Sequence, residues 1–157
     1  MSVEAGLNPD FLDLLSAFSR ANVEFIVVGA HALAANGIVR STGDLDVWVR
    51  PSPENASRVV LALGEFGAPL AQHGVSAADF ARGGTVYQMG LPPRRIDVLT
   101  QISGVEFAEA WSERAMIVVG TDAIAFLGRA SLIKNKRAAG RTKDLLDVEL
   151  LEKQSSS

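Results

Sequence analysis

The chain has 157 residues, 48% apolar and 21% charged, with a net charge of −3. That is the profile of one folded domain, not of a disordered chain or an electrostatic nucleic-acid binder. It holds no cysteine and two histidines, His31 and His73, which excludes disulfides and thiolate metal sites and leaves carboxylates as the natural ligands for a hard cation.

No apolar run approaches the ~20 residues that a bilayer crossing needs. The opening "MSVEAGLNPD" lacks a basic region leading into an apolar one, so no signal peptide and a cytoplasmic location are expected. "PDFLDLLSAFSR" (9–20) places Phe11, Leu14, Leu15 and Phe18 at helical spacing behind a Pro-Asp start. "VEFIVVG" (23–29) is a β-branched run ended by glycine, hence a strand. "AHALAAN" is a short helix closed by Asn36-Gly37. "DLDVWVR" is the next strand, stopped by Pro51, and Ser52-Pro53 opens the helix "SPENASRVVLALGEFG".

A short helix is expected at "SAADFAR", then strands at "TVYQMG" and "RRIDVLT" around the turn "LPPR". A helix at "VEFAEAWSE" and strands at "AMIVVG" and "AIAFL" follow. Two helices, "RASLIKNKRAA" and "KDLLDVELLEK", divided by Gly140, close the fold. The order implies an α/β (α+β) domain over residues 1–153, a mixed sheet with helices mainly on one side, and a disordered tail at 154–157.

The strand "DLDVWV" carries an unusual burden. Side chains alternate along a strand, so Asp44 and Asp46 share a face, with Cα atoms about 6.7 Å apart, while Leu45 and Val47 face the core. Neighbouring carboxylates repel and raise each other's pKa unless something positive stands between them. Asp97 in "RRIDVLT" repeats the apolar-Asp-apolar pattern on another strand. Two readings fit: an exposed, charged strand end, or three carboxylates around divalent cations, which in two-metal sites lie roughly 3.5–4 Å apart.

The arrangement resembles the DNA polymerase beta-like nucleotidyltransferase superfamily. That family shows a strand ending in Gly-Gly or Gly-Ser, a short helix, D-x-D on the next strand and a third acid later. Here "VVGA" ends at Gly29 and Ala30, "DLDV" follows, and Asp97 comes from "RIDVL". Ala30 departs from the pattern, keeping the small size and backbone N–H but losing the hydroxyl. "GIVRSTGDLDV" and "LIKNKRAAGRTKDLLDVELL" are similar to small stand-alone members of the abortive-infection toxin type. The resemblance spans most of residues 23–150. It implies Asp44, Asp46 and Asp97 as catalytic metal ligands for Mg²⁺ or Mn²⁺, and Gly29, Ala30, Arg40, Thr42, Lys136 and Asp144 as nucleotide-binding residues.

The implied reaction transfers a nucleoside monophosphate from a nucleoside triphosphate to a hydroxyl of tRNA, a protein or a small molecule. The alternative is a weakened binding module or a component of a toxin–antitoxin pair. The run "RASLIKNKRAAGRTK" (129–143) contains six basic residues and no acid, and reads either as a phosphate-facing patch or as a solvated helix face. His31 reads as a satisfied, partly buried histidine. A homodimer is the default expectation for oligomeric state.

Overall fold

The computed structural model describes residues 7–40 and 43–154. Strand β1 (Phe25–Val28) leaves the first helix, α1 (Pro9–Arg20), and passes directly into α2 (Gly29–Ala35). Strand β2 (Leu45–Val49) precedes α3 (Pro53–Phe66) and the single turn α4 (Ala77–Phe80). Strands β3 (Val86–Met89) and β4 (Ile96–Leu99) follow, then α5 (Phe107–Ser112) and the hairpin β5 (Ala115–Val119) and β6 (Asp122–Phe126). Helices α6 (Arg129–Ala139) and α7 (Thr142–Gln154) complete the described chain. Gln154, expected in the tail, is the last residue of α7; residues 155–157 lie outside the described residues.

Local chemistry explains the boundaries. Asn8 caps α1, its Oδ1 accepting from the Phe11 N–H at 3.1 Å, and Ser52 caps α3 through the Asn55 N–H at 3.2 Å. Both helices begin with proline, which suits a first turn that needs no N–H. Gly67 and Gly140 end α3 and α6 in left-handed conformation.

The strands form one mixed sheet in the order β3-β4-β2-β1-β6-β5. β1 runs antiparallel to β2 and parallel to β6, while β2 and β4 are parallel. Alternation sends Phe25, Val27, Leu45, Val47 and Val98 to one face, against α1, α3 and α4. Ile26, Val28, Trp48 and Ala125 point to the other, against α2, α5, α6 and α7. Each fully buried Phe or Leu in these layers contributes about 1.5–3 kcal/mol.

Helices α1, α3 and α4 cover one face, and α2 and α5 with the closing pair α6 and α7 cover the other. A strand such as β1, buried at every position, shows no polar alternation that would reveal a second covered face. The mixed sheet and the closing helix pair are as expected.

Asn55 ties the two central strands together. Fully buried at the start of α3, it accepts from the Glu24 N–H at 2.7 Å and donates to the carbonyls of Glu24 and Arg50, both at 3.0 Å.

Candidate active site

Asp46 and Asp97 are direct neighbours on parallel strands, paired in register across β2 and β4, where adjacent backbones lie about 4.8 Å apart. Asp44 precedes β2 on the same side. All three face the layer that holds α2, α6 and α7. Asp97 is buried at 7% exposure, which rules out the exposed strand-end reading for it.

The loop before β2 is drawn tightly onto the β3–β4 connection. A Cβ on Gly43 would stand 1.9 Å from the Pro93 carbonyl oxygen, so only glycine fits this crossing. The Leu45 N–H donates to the Arg95 carbonyl at 2.9 Å, extending the β2–β4 ladder to the site. His31 is steered by its packing on Phe11, with ring centroids 5.8 Å apart, and by a hydrogen bond with the Asp44 backbone; burial is the main cause that lowers its pKa. It thus helps to hold the loop that presents Asp44.

Arg95 supplies the positive charge that the carboxylates require. Its backbone N–H donates to Asp44 Oδ1 at 3.0 Å, and its Nη2 lies 3.7 Å from Asp44 Oδ2. Its Nε and Nη2 donate to Asp97 Oδ1 and Oδ2 at 2.9 and 3.4 Å. Asp46 is less well compensated. Burial, then the charges of Asp97 and Asp44, push its pKa up to about 6 against the lowering pull of Arg95.

A cavity of about 540 Å³ opens beside this cluster, lined by Gly29, Ala30, Arg40, Asp44, Asp46, Arg95 and Asp97 and by Lys136, Arg141, Lys143 and Asp147. Gly29 begins α2 at φ +68°, and the helix start has no side-chain cap and no acid in its first turn. The first N–H groups of a helix have no intrahelical acceptor, and the first two residues of α2, Gly29 and Ala30, line the cavity.

The far wall is a second network that joins α6 and α7 to the loop before β2. Lys136 bridges Asp144 at 3.4 Å and Asp147 at 3.1 Å. Arg40 pairs with Asp147, and Arg141 reaches Asp144 through Nε at 2.6 Å. Burial pushes the Asp144 pKa up, but the hydrogen bond from Arg141 and the charges of Lys136 and Arg141 outweigh it and hold the pKa below the ordinary value.

The structure thus brings together Gly29, Ala30, Arg40, Asp44, Asp46, Asp97 and Lys136. Thr42 lies outside the described residues. Asp144 is fully buried and does not line the cavity; it accepts from the Arg141 N–H at 3.2 Å as the third residue of α7. Its carboxylate caps α7 and latches it to Lys136 and Arg141.

The basic run 129–143 is not a free polycation. Lys134 pairs with Glu109, Arg137 with Glu152, and Lys136 and Arg141 with the acids of α7. Arg129 donates to the Leu151 carbonyl. Among the described residues, Lys143 is the cavity-lining cation with no ion-pair partner.

Sequence reasoning missed Arg95 and Asp147. Both carried a signal: Arg95 stands two residues before Asp97 on a strand, hence on its face, and Asp147 lies three after Asp144 on a helix.

One comparison bears on this geometry. The chain is similar to a crystal structure from Thermotoga maritima described as a "putative nucleotidyltransferase", with a TM-score of 0.56 and 14% identity over 96% of this chain and 95% of that one. The fold is nucleotidyltransferase-like. No family model matches the chain, and no curated protein matches it significantly. No described helix is long and apolar enough to cross a membrane.

The donor types suit a hard divalent cation: Asp44, Asp46 and Asp97 line one cavity, and burial, then the charges of Asp97 and Asp44, lift the Asp46 pKa to about 6. Among the described residues, no three acidic or histidine side chains already form a metal cage. The oxygens of Asp44 and Asp97 are instead turned to Arg95.

Proposed function

We propose that this chain is a metal-dependent nucleotidyltransferase that moves a nucleoside monophosphate from a nucleoside triphosphate to a hydroxyl acceptor. The observation that carries the reading is the in-register pairing of Asp46 with Asp97, with Asp44 beside them at the cavity that Gly29 and Ala30 also line.

Asp44, Asp46 and Asp97 are the residues that would hold Mg²⁺ or Mn²⁺. Bound there, the cation supplies charge neutralisation of the triphosphate and Lewis acidity at the reacting phosphorus. The chain's own groups position and neutralise. The backbone N–H groups of Gly29 and Ala30 face the phosphates, so the missing hydroxyl at Ala30 removes one donor without removing the cradle. Lys143 and Arg40 meet the phosphate charge from the opposite wall. Lys136 acts behind them by holding Asp144 and Asp147 in place.

The acceptor hydroxyl oxygen bonds to the α-phosphorus, the bond to pyrophosphate breaks, and the proton passes to Asp97. The acceptor is tRNA, a protein or a small molecule. The internal pairing of residues 129–143 favours an acceptor that does not depend on a broad basic face.

A second reading, a binding module or toxin–antitoxin component without turnover, has one observation behind it: Arg95 already satisfies Asp44 and Asp97. Thermal shift with Mg²⁺ or Mn²⁺ and each of the four nucleoside triphosphates separates the two. A rise that needs metal and nucleotide together supports the enzyme, and no response to any combination supports the module. Labelled nucleoside triphosphate incubated with total RNA or lysate protein then identifies the acceptor.

A further inference from the structure

Arg95 has the contacts of a counter-ion rather than of a substrate ligand. It enters from the connection before β4; its guanidinium engages both oxygens of Asp97 and lies 3.7 Å from Asp44 Oδ2, while its backbone N–H donates to Asp44 Oδ1. Asp46, between them in the sheet, receives no hydrogen bond from it. The Arg95 side chain is about one-third exposed, at 32%, and borders the cavity. The carboxylates it holds are largely covered.

We propose that Arg95 is a built-in competitor for the divalent cation, neutralising Asp44 and Asp97 until a metal displaces its side chain into the cavity. This rests on the metal-dependent reading above. A fixed cation and a divalent ion cannot both occupy the space between two carboxylates at low energetic cost, because their like charges repel at contact distance. Its backbone N–H bond to Asp44 Oδ1 survives the exchange, since it does not involve the side chain. Arg95 would then set how readily the protein loads metal in the absence of nucleotide. Among the described residues it is the one cation bonded to two of the three carboxylates.

The test is Mn²⁺ binding alone, followed by electron paramagnetic resonance of the free ion, for the wild type, Arg95→Met, Arg95→Lys and Asp46→Asn. The expected result is that Arg95→Met binds Mn²⁺ about tenfold more tightly than wild type, with Arg95→Lys between them and Asp46→Asn weakest. A purely structural role for Arg95 predicts the opposite, since a disordered cluster binds more weakly. Equal or weaker binding in Arg95→Met, with Asp46→Asn still impaired, overturns the competitor role and leaves the metal site standing. Absence of Mn²⁺ binding in wild type and in both Arg95 variants overturns the metal reading and the competitor role together. If Arg95→Met does not fold, Arg95→Lys decides alone: a lysine cannot span both acids, so binding no tighter than wild type counts against the proposal.

Discussion

Gly29 and Asp46 are packed so closely that a Cβ on Gly29 would stand 2.4 Å from Asp46 Oδ2. Gly29 also sits at φ +68°, a conformation that costs an L-residue about 1–2 kcal/mol. The end of β1 is thus shaped around a carboxylate of β2. Gly29→Ala is expected to lower stability by about 2 kcal/mol and to displace Asp46. Urea unfolding checks the first effect, and loss of Mn²⁺ affinity the second.

The same carboxylate sets a pH dependence. An acid whose folded pKa is raised favours the folded state while protonated, so its contribution is complete below the unfolded value near 4 and fades as pH rises through about 6. Metal-free protein should lose stability between pH 4 and 6 from this source. Asp46→Asn should flatten that part of the profile, read from melting temperatures in a pH series.

Two lysines of the cavity wall separate binding from folding. Lys136 is 12% exposed and bridges two buried acids, so Lys136→Ala should cost about 3 kcal/mol, or roughly 10 °C in Tm. Lys143 is exposed and has no ion-pair partner among the described residues. Lys143→Ala should leave Tm within a degree or two, yet weaken binding of a nucleoside triphosphate about tenfold. Differential scanning calorimetry and equilibrium binding on both variants check the split.

Asn55 satisfies three backbone groups at the ends of β1 and β2. Asn55→Leu keeps the approximate volume but strands those groups, and should cost about 2–4 kcal/mol. The measurement is denaturant unfolding, with nucleotide binding in the surviving folded fraction as a control.

Much of this was legible in the sequence because local rules governed it. Pro9 and Ser52-Pro53 opened helices, Gly140 divided the last two, and the strands around Asp46 and Asp97 followed from β-branched runs. What sequence could not carry was pairing. That β2 and β4 are adjacent and parallel, which puts Asp46 against Asp97, depends on long-range contacts with no local signature. The same holds for the partners of the basic run: Glu109 and Glu152 lie far from it or on a different helix, so a stretch without acids looked free of them. Arg95 was visible as a residue, but its role needed Asp44 to approach from another strand. Lys136 matched a motif position, whereas its burial between Asp144 and Asp147 emerges only when α6 and α7 pack.

Metal-dependent nucleotide binding at Asp44, Asp46 and Asp97 is the property on which the proposed activity depends. Calorimetric titration of Mg²⁺ together with a nucleoside triphosphate into wild type and Asp46→Asn tests it most directly. A saturable, metal-requiring signal is expected in wild type and its loss in Asp46→Asn, with the variant still folded by circular dichroism. Identical binding by the two proteins would contradict it.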